Sequence, residues 1–283
     1  MNKPHLPLPV SQAPDPVDRE LEPLLGEPFA TAWADEAPGP QGTAAALRRR
    51  LLDRLAVSRA EASAMFTVRR SRLASVELAP GVQALTLYAA AKDRALRPGE
   101  PMLARLIELK AGSRWTGPAP DRHREWLVLQ GSVQLGDERL HLRDYHVAPA
   151  ASAVCGVRSD EGAVLFLRES PAQVGDDPAC FTLRDEDAGW PDFAPGIQRR
   201  ILWQHAGQAA MLYYAQPGAS VPLHTHGHDE ECLMVQGELF LDDVLLQAGD
   251  YQLAPAGTGH RITQTDTGVV IYAHGDLDLR FVA

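Results

Sequence analysis

The sequence predicts an all-β protein in which one folding unit occurs twice, preceded by a short helical segment. Two observations lead there. Runs such as Gln83–Tyr88, Leu103–Leu109, Trp126–Gln130 and Ala163–Leu167 are short, apolar or alternating, and bounded by Gly or Pro, the pattern of strands joined by turns. The chain also repeats itself. Ala79-Pro-Gly-Val-Gln83 returns as Ala194-Pro-Gly-Ile-Gln198, and a constant offset of 106 then aligns Gly112 with Gly218, Glu125 with Glu231, Gly131 with Gly237, Asp144-Tyr145 with Asp250-Tyr251 and Pro149 with Pro255. A chain of 283 residues can hold two such units, each with its own core.

Taken in order, residues 1–42 are rich in Pro, Gly, Asp and Glu and are expected to be irregular. From Thr43, a helix-capping residue, Leu47, Leu51, Leu52 and Leu55 recur at helical spacing, so one amphipathic helix is expected over 43–57. The expected layout is therefore an N-terminal extension over 1–62, a first β unit over 63–175 and a second over 176–283.

Charge narrows the function. With 27 Lys and Arg against 37 Asp and Glu the chain carries a formal charge of −10, which argues against a general nucleic-acid binder. Arg48-Arg49-Arg50 and Arg69-Arg70-Ser71-Arg72 form a local basic patch, expected to be a solvated face. No stretch approaches a membrane span. Pro4, Pro7 and Pro9 interrupt the first ten residues, so no signal peptide is read there and a cytoplasmic location is expected. Cys155, Cys180 and Cys232 are too few and too far apart for a disulfide framework or thiolate zinc motif, and are expected to be reduced.

The chemistry concentrates in the second unit. Gly218, five residues, His224-x-His226, three residues, Glu230, six residues and Gly237 fall in order, followed by Gly249, five residues, Pro255-x-Gly257, two residues and His260. His224 and His226 project to one face of a strand, because side chains alternate. With Glu230 and His260 they offer four ligands to one divalent transition metal, and the set alone does not choose among zinc, iron, nickel, manganese and copper. Glu230 could also act as a base. His228 falls in the turn and Cys232 reads as a small buried side chain, so neither is expected to be a ligand.

These two strings resemble both signature motifs of the cupin superfamily, with one departure: Gln264 stands where the second motif usually ends in Asn. The resemblance implies a small antiparallel barrel of jelly-roll type with the metal inside it, and through the repeat two such barrels in tandem. In the first copy the four ligand positions hold Pro118, Pro120, Arg124 and Val154, none of which binds metal, so that barrel is expected to be metal-free. His123, Glu125, His141 and His146 lie nearby without the parity or loop spacing of the second copy.

Pro80-Gly81-Val82 and Pro195-Gly196-Ile197, the doubled Glu230-Glu231, and Ala248-Gly249-Asp250-Tyr251 before Pro255-x-Gly257 look like the ChrR-type cupins over roughly residues 65–283. That family joins a zinc-binding anti-sigma module to a metal-binding cupin that senses oxidative stress, and relatives include acetylacetone-cleaving and other small-molecule oxygenases. The anti-sigma module's His-x-x-x-Cys-x-x-Cys motif is missing here, since no cysteine precedes Cys155. Two functions are therefore expected from the resemblance: a metal-dependent, dioxygenase-like enzyme acting on a small molecule held in the C-terminal barrel, or a sensor acting through a protein partner such as a sigma factor. A homodimer is compatible with either.

Overall fold

The computed structural model describes residues 46, 48–50, 52, 64–97, 99–118, 121–150, 152, 156–171, 180–205 and 207–281. The chain divides into a unit over Met1–Arg59 and a unit over Ala60–Ala283. In the first, residues 46, 48–50 and 52 are helical and exposed; the rest of the helix expected over 43–57, and the irregular stretch before it, lie outside the described residues.

The second unit is antiparallel β, as the strand punctuation predicts. One half builds a seven-stranded sheet in the order Phe181–Leu183, Tyr145–Ala148, His123–Gly131, Ala163–Ser170, Leu103–Leu109, Val82–Ala89, Val76–Ala79. A four-stranded sheet of Ser113–Trp115, Val157–Ser159, Val133–Leu135 and Glu138–Leu140 shares its core, where Ile107, Trp126, Val128 and Leu165 meet Val133, Leu140 and Val157. The other half repeats the plan. Its main sheet runs through Tyr251–Ala254, Glu230–Leu241, Val269–Asp276, Gln208–Ala215 and Ile197–His205, and a small sheet of Gly259–His260, His224–Thr225 and Arg280–Phe281 stands at one end. These are two tandem jelly-roll barrels.

The barrels meet through their large sheets, which explains why the central strands read as nearly unbroken apolar runs. Along His123–Gly131, Trp126 and Val128 enter their own barrel while Leu127 joins a core shared with the other. In that shared core Leu106, Leu127 and Tyr145 sit with their repeat equivalents Leu212, Leu233 and Tyr251. Equivalent residues of the two copies thus form the interface between them.

Two strands cross the boundary expected between 175 and 176. Phe66–Val68, from the first copy, pairs with Tyr251–Leu253 of the second, while Phe181–Leu183 pairs with Tyr145–Val147 of the first. Phe181–Leu183 leads into a one-turn helix, Asp185–Ala188, that periodicity is too short to reveal. Arg143 and Arg200 both bond the Asp185 carboxylate, at 3.0 and 2.6 Å, and fix this connection between the barrels.

Candidate metal centre

Local hydrogen bonding aims each histidine of the second barrel. His224 and His260 are direct partners across the small sheet, so their side chains emerge on the same face. His226 lies just past its strand, but its N–H donates to Thr258 O at 2.9 Å and its carbonyl accepts from Gly257 N at 2.8 Å, which prolongs the ladder. Glu230 opens the strand Glu230–Leu241 and faces the barrel interior. All four side chains are buried.

Each imidazole is held by one ring nitrogen. Nδ1 of His224 contacts the Pro222 carbonyl at 3.0 Å, Nδ1 of His226 lies 3.5 Å from Thr258 Oγ1, and Nδ1 of His260 lies 3.4 Å from the Asp242 carboxylate. That leaves Nε2 of His226 and His260 buried without a hydrogen-bond partner, although Glu230 Oε2 stands 3.0 and 3.8 Å away. Close approach without hydrogen-bond geometry is what ligands of a common ion show, and the second-nitrogen anchors are those that orient metal-binding histidines. The donor atoms of His224, His226 and Glu230 lie within 4.8 Å of one another, and the His260 ring is 5.0 Å from that of His226. The donor set therefore fits a divalent transition ion.

The four groups are electrostatically coupled. Burial opposes ionisation of Glu230, but His226, His260 and His224 outweigh it and bring its pKa down to about 2. Burial lowers the pKa of His224, whereas at His226 the opposing effect of burial is outweighed by Glu230, which raises it.

Of the two residues set aside, His228 turns out of the site and bonds Asp276 at 2.5 Å, whereas Cys232 lines the cavity with Sγ 3.9 Å from Glu230 Oε2. The corresponding place in the first barrel is filled by Arg124, which is buried and donates to Ser152 Oγ at 2.6 Å. Pro118 is half-buried there; Pro120 and Val154 lie outside the described residues. His141 is exposed, and Nδ1 of His146 bonds Thr182 Oγ1 at 2.8 Å.

Glu125 and Glu231, which the repeat aligned without giving them a role, meet at the barrel interface. Arg168 lies between them, bonding Glu125 at 2.8 Å through Nη1, Glu231 through Nε and the Gly99 carbonyl at 2.5 Å through Nη2. Tyr145 and Tyr272 donate to Glu125 at 2.5 and 3.0 Å, and Tyr251 donates to Glu231 at 2.6 Å. Their equivalence under the 106-residue offset was the only signal for this network.

Fold and site together define a cupin-fold protein with two barrels, one of them carrying a candidate His/His/Glu centre. Residues 179–278, within the second barrel, match the ChrR cupin-like domain family. The sequence matches no curated protein. Similar solved structures include a dioxygenase candidate from Nostoc punctiforme at 15% identity, covering 77% of this chain and 85% of that one with a TM-score of 0.61. Oxalate decarboxylase of Lactobacillus farciminis, solved as a formate complex, is 15% identical over 76% of this chain and 87% of that one, TM-score 0.55. The pirin YhhW of Escherichia coli, solved with nickel(II), is 12% identical over 77% of this chain and all of that one (100%), TM-score 0.57. At these identities the likeness is one of fold. Among the described residues no helix is long and apolar enough to cross a membrane.

Proposed function

We propose that the C-terminal barrel holds one divalent transition metal, zinc, iron, nickel or manganese, through His224, His226, Glu230 and His260, and uses it for a dioxygenase-like reaction on a small organic molecule. The observation that carries this reading is the pair of anchored imidazoles, His226 and His260, whose buried Nε2 atoms stand 3.0 and 3.8 Å from Glu230 Oε2 without a hydrogen-bond partner. When bound, such an ion supplies Lewis acidity, and redox chemistry if it is iron or manganese. The chain's own residues do the rest. Asp242, Thr258 and the Pro222 carbonyl fix the rings, and mainly apolar side chains line the space beside Glu230. Metal analysis of purified protein, wild type against His224→Ala and His260→Ala, tests the site; one equivalent in the wild type, lost in both variants, is expected, and metal unchanged by either sinks it. Oxygen consumption by iron-loaded protein with a panel of 1,3-diketones and flavonols tests the reaction.

The ChrR-type match favours a second reading, in which occupancy of the same centre is relayed to a protein partner such as a sigma factor. Co-purification of a sigma factor, without oxygen consumption on any of the panel, would select it.

A further inference from the structure

The duplication supplies an internal control for the cavity beside the metal site. From Leu103 onward the strands of the two barrels pair in the same register at an offset of 106, so residues 106 apart there occupy the same place in each. In the first barrel, Leu109, Trp126 and Leu167 fill the core, Trp115 packs against them, and the two indoles stack edge to face with centroids 6.2 Å apart. Their equivalents in the second are Ala215, Cys232, Ala273 and Val221. All four smaller residues line one cavity, which opens to solvent and reaches His224, Glu230 and His260. The register confirms the correspondence, since Trp126 pairs with Leu167 and Cys232 with Ala273 across the same two strands.

Protein cores are close-packed, and the first barrel shows that this fold can fill the space. The void is therefore shaped by large-to-small replacement at one end of the metal site. Its walls are Ile197, Leu239, Leu241 and Ile271, with no Lys or Arg among the described residues that line it. The polar groups besides the histidines and Glu230 are the hydroxyls of Tyr213, Ser220 and Thr263 and the Cys232 thiol. Burial raises the pKa of Tyr213, so its hydroxyl stays protonated and remains a donor.

We propose that this barrel takes a ligand with an oxygen-chelating head and a compact, uncharged apolar body, and that Ala215, Cys232, Ala273 and Val221 set the size of that body. The proposal rests on the metal assignment made above and narrows its substrate class. A small dicarboxylate is disfavoured, because no Lys or Arg among the described lining residues would pair its far carboxylate.

Cobalt(II)-loaded protein titrated with hydroxamates separates the two claims. Aceto-, butano- and hexanohydroxamate share one head and differ only in the apolar tail, and adipic monohydroxamate adds a terminal carboxylate. Affinity read from the cobalt visible spectrum should rise about three- to fourfold per methylene, with the adipic probe at least tenfold weaker than hexanohydroxamate. Ala215→Leu and Ala273→Leu, which restore the first barrel's side chains, should bind cobalt and acetohydroxamate normally but lose at least tenfold for hexanohydroxamate. Failure to bind stoichiometric cobalt would overturn the metal reading. Stoichiometric cobalt with a flat tail dependence, or preference for the carboxylate-ended probe, would overturn the substrate class alone, and the wild-type series decides this even if a variant does not fold.

Discussion

Glu230 and Glu231 are consecutive on one strand and serve opposite faces of it. Glu230 faces into the second barrel, 3.0 Å from Nε2 of His226, while Glu231 faces the first barrel and is bonded by Arg168. Strand alternation alone produces this division, and it places the candidate metal centre one peptide bond from the joint between barrels. The joint carries two buried carboxylates for one guanidinium. Burial opposes ionisation of both, but Arg168, His274 and His123 bring Glu125 to about 2, whereas the pKa of Glu231 stays raised.

Removing the cation should therefore be costly. Arg168→Met is expected to destabilise the protein by about 3–5 kcal/mol, because it leaves buried carboxylates unpaired. Adding Glu125→Gln and Glu231→Gln to it should recover part of that loss. Urea unfolding of the three proteins measures it, and an Arg168→Met variant within 1 kcal/mol (about fivefold in the folding equilibrium) of wild type would mean the network is held otherwise.

The Asp242 carboxylate meets Nδ1 of His260, the backbone N–H groups of Arg261 and Ile262, and Arg261 Nε at 3.6 Å. Asp242 sits in the left-handed region at φ 53°, which Asn tolerates. Asp242→Asn is thus expected to keep the fold and weaken metal affinity about 10- to 100-fold, the usual effect of losing a carboxylate behind a ligating histidine. Competition with a metallochromic chelator reads the change.

Two buried histidines make stability depend on pH. Burial lowers His146 to about 4, and burial with Arg168 lowers His274 to about 3. In the unfolded chain both titrate near 6.5, so between about pH 6.5 and 3 the unfolded state binds more protons and stability rises with pH. Stability is full above pH 6.5 and falls on acidification, at about 1.4 kcal/mol per unit of pKa displacement for each group. Unfolding free energies at pH 7 and 4.5 should show the loss, and His146→Gln should reduce it.

Gly237 closes the first motif for a reason of shape. Its φ is +78°, and a Cβ there would lie 2.1 Å from the Gly268 carbonyl oxygen; Gly131 meets Gly162 in the same way in the first barrel, at 2.2 Å. Gly237→Ala should cost at least the ~1–3 kcal/mol of a strained backbone position. A thermal melt within 2 °C of wild type would contradict this.

The barrels and the cluster about Glu230 were legible because each leaves a local trace: strands bounded by Gly and Pro, a constant offset, and ligands at fixed spacing. That Arg124, at the position of Glu230, is buried and bonds Ser152 had no sequence signal beyond the substitution itself. What escaped was set by tertiary packing. Nothing near Arg168 announces that it will join Glu125 to Glu231, since the three meet only when the sheets pack. The anchors Asp242 and Thr258 act through a hairpin and a turn, and the one-turn helix Asp185–Ala188 is shorter than any periodicity. The exchange of Phe66–Val68 and Phe181–Leu183 depends on strand pairing that no hydrophobic pattern specifies.

That exchange makes the two halves mutual hostages. A nick between residues 171 and 180 would leave each fragment holding an edge strand of the other's sheet, so the cut protein should stay together in native buffer and part only under denaturant. Separately expressed fragments should then reassemble into one particle. For anyone dissecting this chain, the natural unit of deletion is the pair of barrels.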